Sequence, residues 1–188
     1  RVLYSNTSGS GNCGFGTEAL FSNTTGASNV AFGGYDGGSI NAALRANTTG
    51  SYNSAFGIGA LAANTTSSNN TAVGYVAGLN QTGQQSSFFG AQSGVNVTGS
   101  YNTAIGYYAM YAAASSTGSE NTAVGNYAMS ALTSAVCNTA VGNQALIGVT
   151  SGNSNVGIGY QSLYANTTGT NNVAIGYYAG GGVVGNSD

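Results

Sequence analysis

The chain has no lysine, histidine, proline or tryptophan, and only 3% of its residues are charged. Each absence removes a class of function. Without histidine there is no Ser-His or Cys-His pair and no imidazole metal ligand. Without lysine there is no Schiff-base chemistry. A formal net charge of −2 leaves no basic footprint for nucleic acid and no polybasic segment for an anionic membrane. No apolar run approaches the ~20 residues needed to insert across a bilayer. The carboxylates are Glu18, Asp36, Glu120 and Asp188. Glycosidase chemistry needs two of them within roughly 5–10 Å. Only Glu18 and Asp36 lie close along the chain, and strand alternation would put them on opposite faces. Calcium wants several clustered oxygens, which the sequence does not offer. The expectation is a chain that is not an enzyme, holds no metal and uses no cofactor.

Charge is scarce to a degree foreign to ordinary soluble domains, where it makes up roughly a quarter of residues. Disorder usually accompanies high net charge and few aromatics. Here the chain has 13 Tyr and 6 Phe, and its apolar residues keep a fixed phase. That phase is a repeat. Asn-Thr-Ala-Val-Gly stands at Asn70–Gly74, Asn121–Gly125 and Asn138–Gly142, with looser copies beginning at Asn12, Asn29, Asn53, Ser86, Asn102, Asn155 and Asn172. The closing glycines are 16, 33, 57, 74, 90, 106, 125, 142, 159 and 176, so the usual spacing is 17 residues. A period this short is one turn of a coil stacking on itself, not an array of domains. The sequence therefore reads as one all-β domain over residues 1–188, a parallel β-solenoid or β-roll of about ten 17-residue turns.

Counting from the asparagine, position 4 is always large and apolar: Phe15, Phe32, Phe56, Val73, Phe89, Ile105, Val124, Val141, Ile158 and Ile175. Position 3 is Ala or Gly in every copy except that of Phe88, and position 5 is Gly throughout. Side chains alternate along a strand, so positions 2, 4 and 6 share one face and 3 and 5 the other. The bulky ladder at position 4 is expected to form the core. The bare face allows another backbone to approach. Position 9 is Leu or Met in most copies, but Gly78, Gly94 and Gly180 in three. Asn-Thr-Thr-Gly or Asn-Thr-Thr-Ser then marks a turn. Each repeat reads as two short strands of ~4–5 residues joined by a tight corner. Fixed-phase glycines speak against a helical solenoid, despite the helix formers at Tyr108–Ala114. Stacked at ~4.8 Å per turn, the coils make a rod roughly 45–50 Å long.

In such a stack Asn12, Asn29, Asn53, Asn70, Asn102, Asn121, Asn138, Asn155 and Asn172 form a structural ladder hydrogen-bonded from turn to turn. Two spacings break the period. A 24-residue step inserts a glycine-rich loop at about residues 34–42, and a 19-residue step lengthens a turn near Ala114–Glu120. Insertions in solenoids leave the rod as loops. Tyr35 and Asp36 in the first loop, with Tyr107, Tyr108, Tyr177 and Tyr178, are the candidate contact surface. The tyrosines suit either a sugar-binding platform or packing against a neighbouring chain. The sequons at Asn6, Asn23, Asn47, Asn64, Asn69, Asn80, Asn96 and Asn166 are candidate glycosylation sites, although the same tripeptide serves as the repeat's turn. Cys13 and Cys137 lie about seven turns apart, too far for a disulfide, and are expected as buried free thiols, with an intermolecular bridge as the alternative. The chain opens at Arg1 without methionine or a signal segment, which reads as a processed chain or a fragment. Arg1-Val2-Leu3-Tyr4 and Val183-Val184 read as uncapped edges able to pair with another chain.

The phrases Asn138–Leu146 and Tyr160–Gly169 closely resemble the repeats of bacteriophage tail-fibre and tail-spike proteins that end in an endosialidase-type intramolecular chaperone. They are similar, more distantly, to the repeats in the heads of trimeric autotransporter adhesins, which are shorter. The resemblance covers essentially the whole chain. It implies a left-handed parallel β-roll, three chains about one axis and an extracellular setting on a virion tail or a cell surface. The expected function is a structural or adhesive fibre segment that partners itself and meets a cell-surface glycan or receptor. The alternatives are a secreted filament subunit stacking end to end, and a glycan- or ice-binding solenoid.

Overall fold

The computed structural model describes residues 1–182; Val183, Val184 and Asp188 lie outside them. The chain winds into a parallel solenoid whose strands are β1 (Cys13–Phe15), β2 (Val30–Phe32), β3 (Ser54–Phe56), β4 (Thr71–Val73), β5 (Ser87–Phe89), β6 (Thr103–Ile105), β7 (Thr122–Val124), β8 (Thr139–Val141), β9 (Val156–Ile158) and β10 (Val173–Ile175). They pair in chain order as one ten-stranded sheet. Each residue lies over its counterpart, as Thr103 over Thr122, Ala104 over Ala123 and Ile105 over Val124. No helix occurs among the described residues.

Each coil has one strand, not the two expected from sequence, and the strand has three residues. The remainder of the coil turns by reversing the hand of the backbone. Position 9 is left-handed at Leu20 (φ 53°), Leu61 (φ 49°), Met129 (φ 56°) and Leu163 (φ 49°). Position 7 is left-handed at Glu18, Gln144 and Tyr178, and so is the residue before the ladder asparagine at Ser28, Tyr52 and Cys137. Such conformations cost roughly 1–2 kcal/mol for residues with a Cβ. Inter-coil hydrogen bonds and burial offset them. The Leu61 N–H donates to Ala77 O at 3.0 Å and the Leu146 N–H to Ser162 O at 2.9 Å, while both side chains are fully buried. The small-large alternation at positions 8 and 9 imitates a strand, and this misled the sequence reading.

The core lies inside the coil. It is built from position 3 (Ala31, Ala55, Ala72, Ala104), position 8 (Ala19, Ala60, Ala128, Ala145) and position 9. Phe88 is the one large residue at position 3 and is fully buried. Its ring occupies the volume left by glycine at position 9 in its own coil and in the coil before it. A Cβ on Gly78 would lie 2.8 Å from Phe88 Cδ2, and a Cβ on Gly94 would overlap Phe88 Cδ1. Position 5 stacks backbone on backbone. Gly106 has φ 130°, and a Cβ there would lie 2.6 Å from Gly125 O, so only glycine fits.

The asparagine ladder runs along one side of this core. The Asn29 N–H and Nδ2 both donate to Asn12 Oδ1, at 2.9 and 3.1 Å. Nδ2 also donates to Gly50 O at 2.8 Å. The pattern repeats at Asn53 on Asn29, Asn138 on Asn121, Asn155 on Asn138 and Asn172 on Asn155. Ser86 interrupts it. Its Oγ accepts the Asn102 N–H at 3.1 Å, and its own N–H donates to Asn70 Oδ1 at 3.0 Å. A threonine column runs through position 13. Thr7, Thr24 and Thr48 each donate a hydroxyl to the threonine carbonyl of the next coil at 3.0 Å, as Thr133 does to Thr150 O at 2.8 Å. Threonine fills this place at Thr7, Thr24, Thr48, Thr65, Thr82, Thr98, Thr133, Thr150 and Thr167, and in the coil between Thr98 and Thr133 the Thr98 hydroxyl donates to Ser116 O at 2.9 Å, so a column count reveals it.

A second amide ladder occupies position 12. Nδ2 of Asn23, Asn47 and Asn64 donates to Oδ1 of Asn6, Asn23 and Asn47, at 2.8, 2.7 and 2.9 Å. Gln81 comes next, but its longer side chain carries the amide to Gly99 O at 3.2 Å. Asn64 Oδ1 and Gln81 Oε1 are left buried without partners. The column then turns apolar at Val97, Leu132 and Val149. Gln81→Asn should extend the ladder by one rung and satisfy Asn64. It is expected to stabilise the rod by about 1 kcal/mol, read as a thermal midpoint ~3 °C higher; an unchanged or lower midpoint would remove this account of the two orphaned oxygens.

The largest correction concerns position 4. Its side chains point out of the coil, not into it. Phe15, Phe32, Phe56, Phe89, Ile105 and Ile175 are all exposed, and Val124 and Val141 are half-buried. The faces alternate as expected, but the inside is the opposite face. The lumen is already filled by alanines, Leu/Met and the two amide columns.

Candidate functional site

The outer face of the sheet is the most distinctive surface of the molecule. Column 4 runs its whole length as stacked Phe, Val and Ile. Phe15 lies on Phe32 with ring centroids 4.4 Å apart, and Phe32 on Phe56 at 6.2 Å. Column 2 flanks it with Cys13, Val30, Ser54, Thr71, Ser87, Thr103, Thr122, Thr139, Val156 and Val173, and column 6 with residues from Thr17 to Tyr177. None of the three columns carries a charge. All-parallel sheets occur almost only with both faces covered. Here the inner face is covered by the chain's own coil, and the outer face is bare.

The sequence-derived contact residues fall into separate groups. Tyr35 and Asp36 are exposed on the insertion loop of the second coil. The Tyr35 hydroxyl donates to Gly38 O and the Gly38 N–H to Asp36 Oδ1, both at 2.8 Å. Ile40 anchors the loop above Gly59, where a Cβ would lie 2.7 Å from Ile40 Cγ2. Below the loop, Arg45 Nε donates to Glu18 Oε2 at 2.7 Å across adjacent coils. Glu18 is thus paired with Arg45 rather than with Asp36. Tyr107 and Tyr108 contact one another and Tyr127, and Tyr108 also touches Tyr111. Crowding desolvates the Tyr107 hydroxyl, which with the hydrogen bond and charge of Tyr108 holds its pKa above the ordinary value. Tyr177 stacks on Tyr160 at 5.3 Å, and Tyr178 on Tyr164 at 6.5 Å. The three groups sit on coils four apart, about 19 Å from one to the next, so they form no single site. Tyr108 and Tyr127 lie within 17° of parallel and Tyr160 and Tyr177 within 9°. Within each stacked pair the facing ring surfaces are used on one another, which suits packing better than a sugar platform.

The candidate glycosylation sites also divide. Asn23, Asn47, Asn64 and Asn166 are fully buried in the position-12 column, where the folded rod has no room for a glycan. Asn6, Asn69 and Asn80 are exposed and Asn96 is half-buried. Both cysteines are free and exposed, not buried as expected. Cys13 lies in column 2 of the open face. Cys137 Sγ lies 3.3 Å from Glu120 Oε2, and that hydrogen bond, followed by desolvation and the carboxylate's charge, raises the thiol above its ordinary pKa.

Among the described residues there is no pocket, no cluster of three or more metal-ligating side chains, and no helix long and apolar enough to cross a membrane. Comparison with protein-family models, curated proteins and solved structures finds no match to this chain.

Proposed function

We propose that this chain is a non-enzymatic structural segment of an extracellular fibre, of the phage tail-fibre or bacterial adhesin kind, that its coil is a left-handed β-roll, and that copies of it pack side by side as a homotrimer through their open sheet faces. The observation that carries this reading is the uncharged apolar ladder of column 4, which faces outward over ten coils and is exposed in all but the half-buried Val124 and Val141. A face ten strands long spans about 45 Å, and columns 2 to 6 add about 13 Å of width. The product, about 600 Å² before side-chain relief, approaches the ~800 Å² each partner gives to a standard interface. Exposed apolar patches beyond a few hundred Å² mark interaction sites, and depletion of charge is what distinguishes interface cores from ordinary surface. A rod whose every coil repeats the same side chains suits the role of a spacer. Any receptor or glycan contact belongs on the departures from the repeat, such as the Tyr35–Asp36 loop.

Sedimentation at micromolar concentration tests the proposal. The expected mass is three times the 18.4 kDa chain. A strict monomer over that range would defeat the self-packing reading, whatever the rod's other properties.

A further inference from the structure

Columns 4 and 6 carry a pattern that a single chain does not require. Where position 4 is Phe, position 6 is Thr17, Gly34, Ile58 or Ala91. Where position 4 is Val or Ile, position 6 is Tyr75, Tyr107, Asn126, Asn143, Tyr160 or Tyr177. No coil has an aromatic residue in both places, and none has a small residue in both. In one chain the two columns leave each other open to solvent: Phe89 and Ile105 remain exposed, as do Tyr75, Tyr107 and Tyr160. Volume compensation between side chains is a property of packed surfaces, where overfilling and voids are both costly.

We infer that column 4 of one copy packs against column 6 of a second copy of this chain at the same coil level, so that the paired volumes set a parallel, in-register alignment. This rests on the self-packing proposed above and deepens it by specifying the register. Other alignments break the match. A shift of one coil sets Phe56 against Tyr75, or Phe89 against Tyr107. An antiparallel arrangement sets Phe15 against Tyr177 and Phe32 against Tyr160, while Ile158 faces Gly34. Such pairings alternate aromatic crowding with gaps. Unlike those arrangements, the parallel, unshifted one sets no aromatic against an aromatic and no small residue against a small one, with Val124 and Val141 meeting the middle-sized Asn126 and Asn143. This contact is heterologous, column 4 to column 6, so it can close a ring of copies about an axis along the rod.

The experiment is a double-substitution cycle in the fifth coil, with association measured by sedimentation of the whole chain. Phe89→Val should leave a gap and Ala91→Tyr should overfill the level, and each is expected to weaken association by roughly tenfold. Phe89→Val with Ala91→Tyr rewrites the coil in the manner of Val73 and Tyr75, and should associate within about threefold of the unaltered chain. Because these side chains project outward, the far-ultraviolet circular dichroism of the unassociated chain should not change. If the unaltered chain self-associates and the double variant is no better than the two losses combined, the register inference falls while self-packing stands. If the unaltered chain is monomeric, self-packing itself falls. A second measurement does not depend on these variants. In Cys137→Ser, with Cys13 as the remaining thiol, a bis-maleimide spanning about 25 Å should link Cys13 of one copy to Cys13 of the next, whereas an antiparallel pair would hold the two thiols about 43 Å apart. Assembly without that crosslink would overturn the parallel register.

Discussion

Replacing Asn121 by alanine should destabilise the rod by about 4 kcal/mol, through hydrogen bonds rather than packing. The Asn121 Oδ1 accepts the Asn138 N–H at 3.0 Å and Asn138 Nδ2 at 3.1 Å, and its Nδ2 donates to Ala135 O at 2.8 Å and to Asn102 Oδ1 at 3.3 Å. Alanine removes all four. The Asn138 amide keeps its contact with Gly152 O at 2.9 Å, and Asn102 Oδ1 still accepts the Asn121 N–H at 3.0 Å. The backbone N–H of Asn138 and the carbonyl of Ala135 are left without these partners in buried surroundings. Each orphaned group costs about 1–3 kcal/mol, and two of them give the figure above. For a chain of this length that is a thermal midpoint lower by about 10 °C. Serine is the control. At Ser86 the chain already carries serine in this place, and its Oγ accepts the following coil's N–H at 3.1 Å. Asn121→Ser should therefore lose about half as much as Asn121→Ala. Equal losses would mean that the ladder acts by filling volume, and no loss would mean that it is dispensable.

The repeat made most of the architecture readable. A 17-residue phase with glycine at position 5 and asparagine at position 1 leads directly to parallel coils stacked in register, as in Thr139 over Val156 and Ala140 over Gly157. Three things were not readable in the same way. The second half of each coil has the small-large alternation of a strand, yet folds as left-handed corners at residues such as Leu146 (φ 50°) and Tyr127 (φ 56°). No propensity rule assigns that conformation to leucine or tyrosine; it is imposed by closing and stacking a short ring. The direction of the position-4 ladder was misjudged because bulk was equated with burial. Fully buried Asn53 and Asn121 beside exposed Phe56 and Ile105 reverse that equation. The lumen is narrow enough that alanine, leucine and amides fill it, and the surplus apolar volume is displaced outward. That reversal is also why the candidate surface was only partly legible. Its tyrosines stood out by composition, while the column beside them was counted as core. The buried state of the sequon asparagines was missed for a related reason, since a turn motif suggests a surface and position 12 faces inward.

The signal that separates inside from outside was present in the sequence as a compensation, and it supports the second large prediction. Phe88→Ala should cost about 4 kcal/mol, within the range for emptying a buried phenylalanine site. Phe88 is fully buried, and its ring lies against Gly78 and Gly94, which have no side chains to move into the gap. The repair is written in the other coils. Leucine occupies position 9 at Leu61 and Leu146 with φ values of 49° and 50°, close to the 57° and 63° of Gly78 and Gly94, so the backbone at the two glycines already suits leucine. What prevents leucine there is the ring: a Cβ on Gly94 would overlap Phe88 Cδ1. Gly94→Leu alone should thus be destabilising by about 1–3 kcal/mol through overpacking. Phe88→Ala combined with Gly78→Leu and Gly94→Leu restores the alanine-leucine pattern of the neighbouring coils, and should recover most of the loss caused by Phe88→Ala. Urea unfolding of the four proteins decides the matter. If adding the leucines to Phe88→Ala makes it worse, the ring and the two glycines are not sharing one volume, and the lumen must be wider at that level than the packing of Phe88 implies.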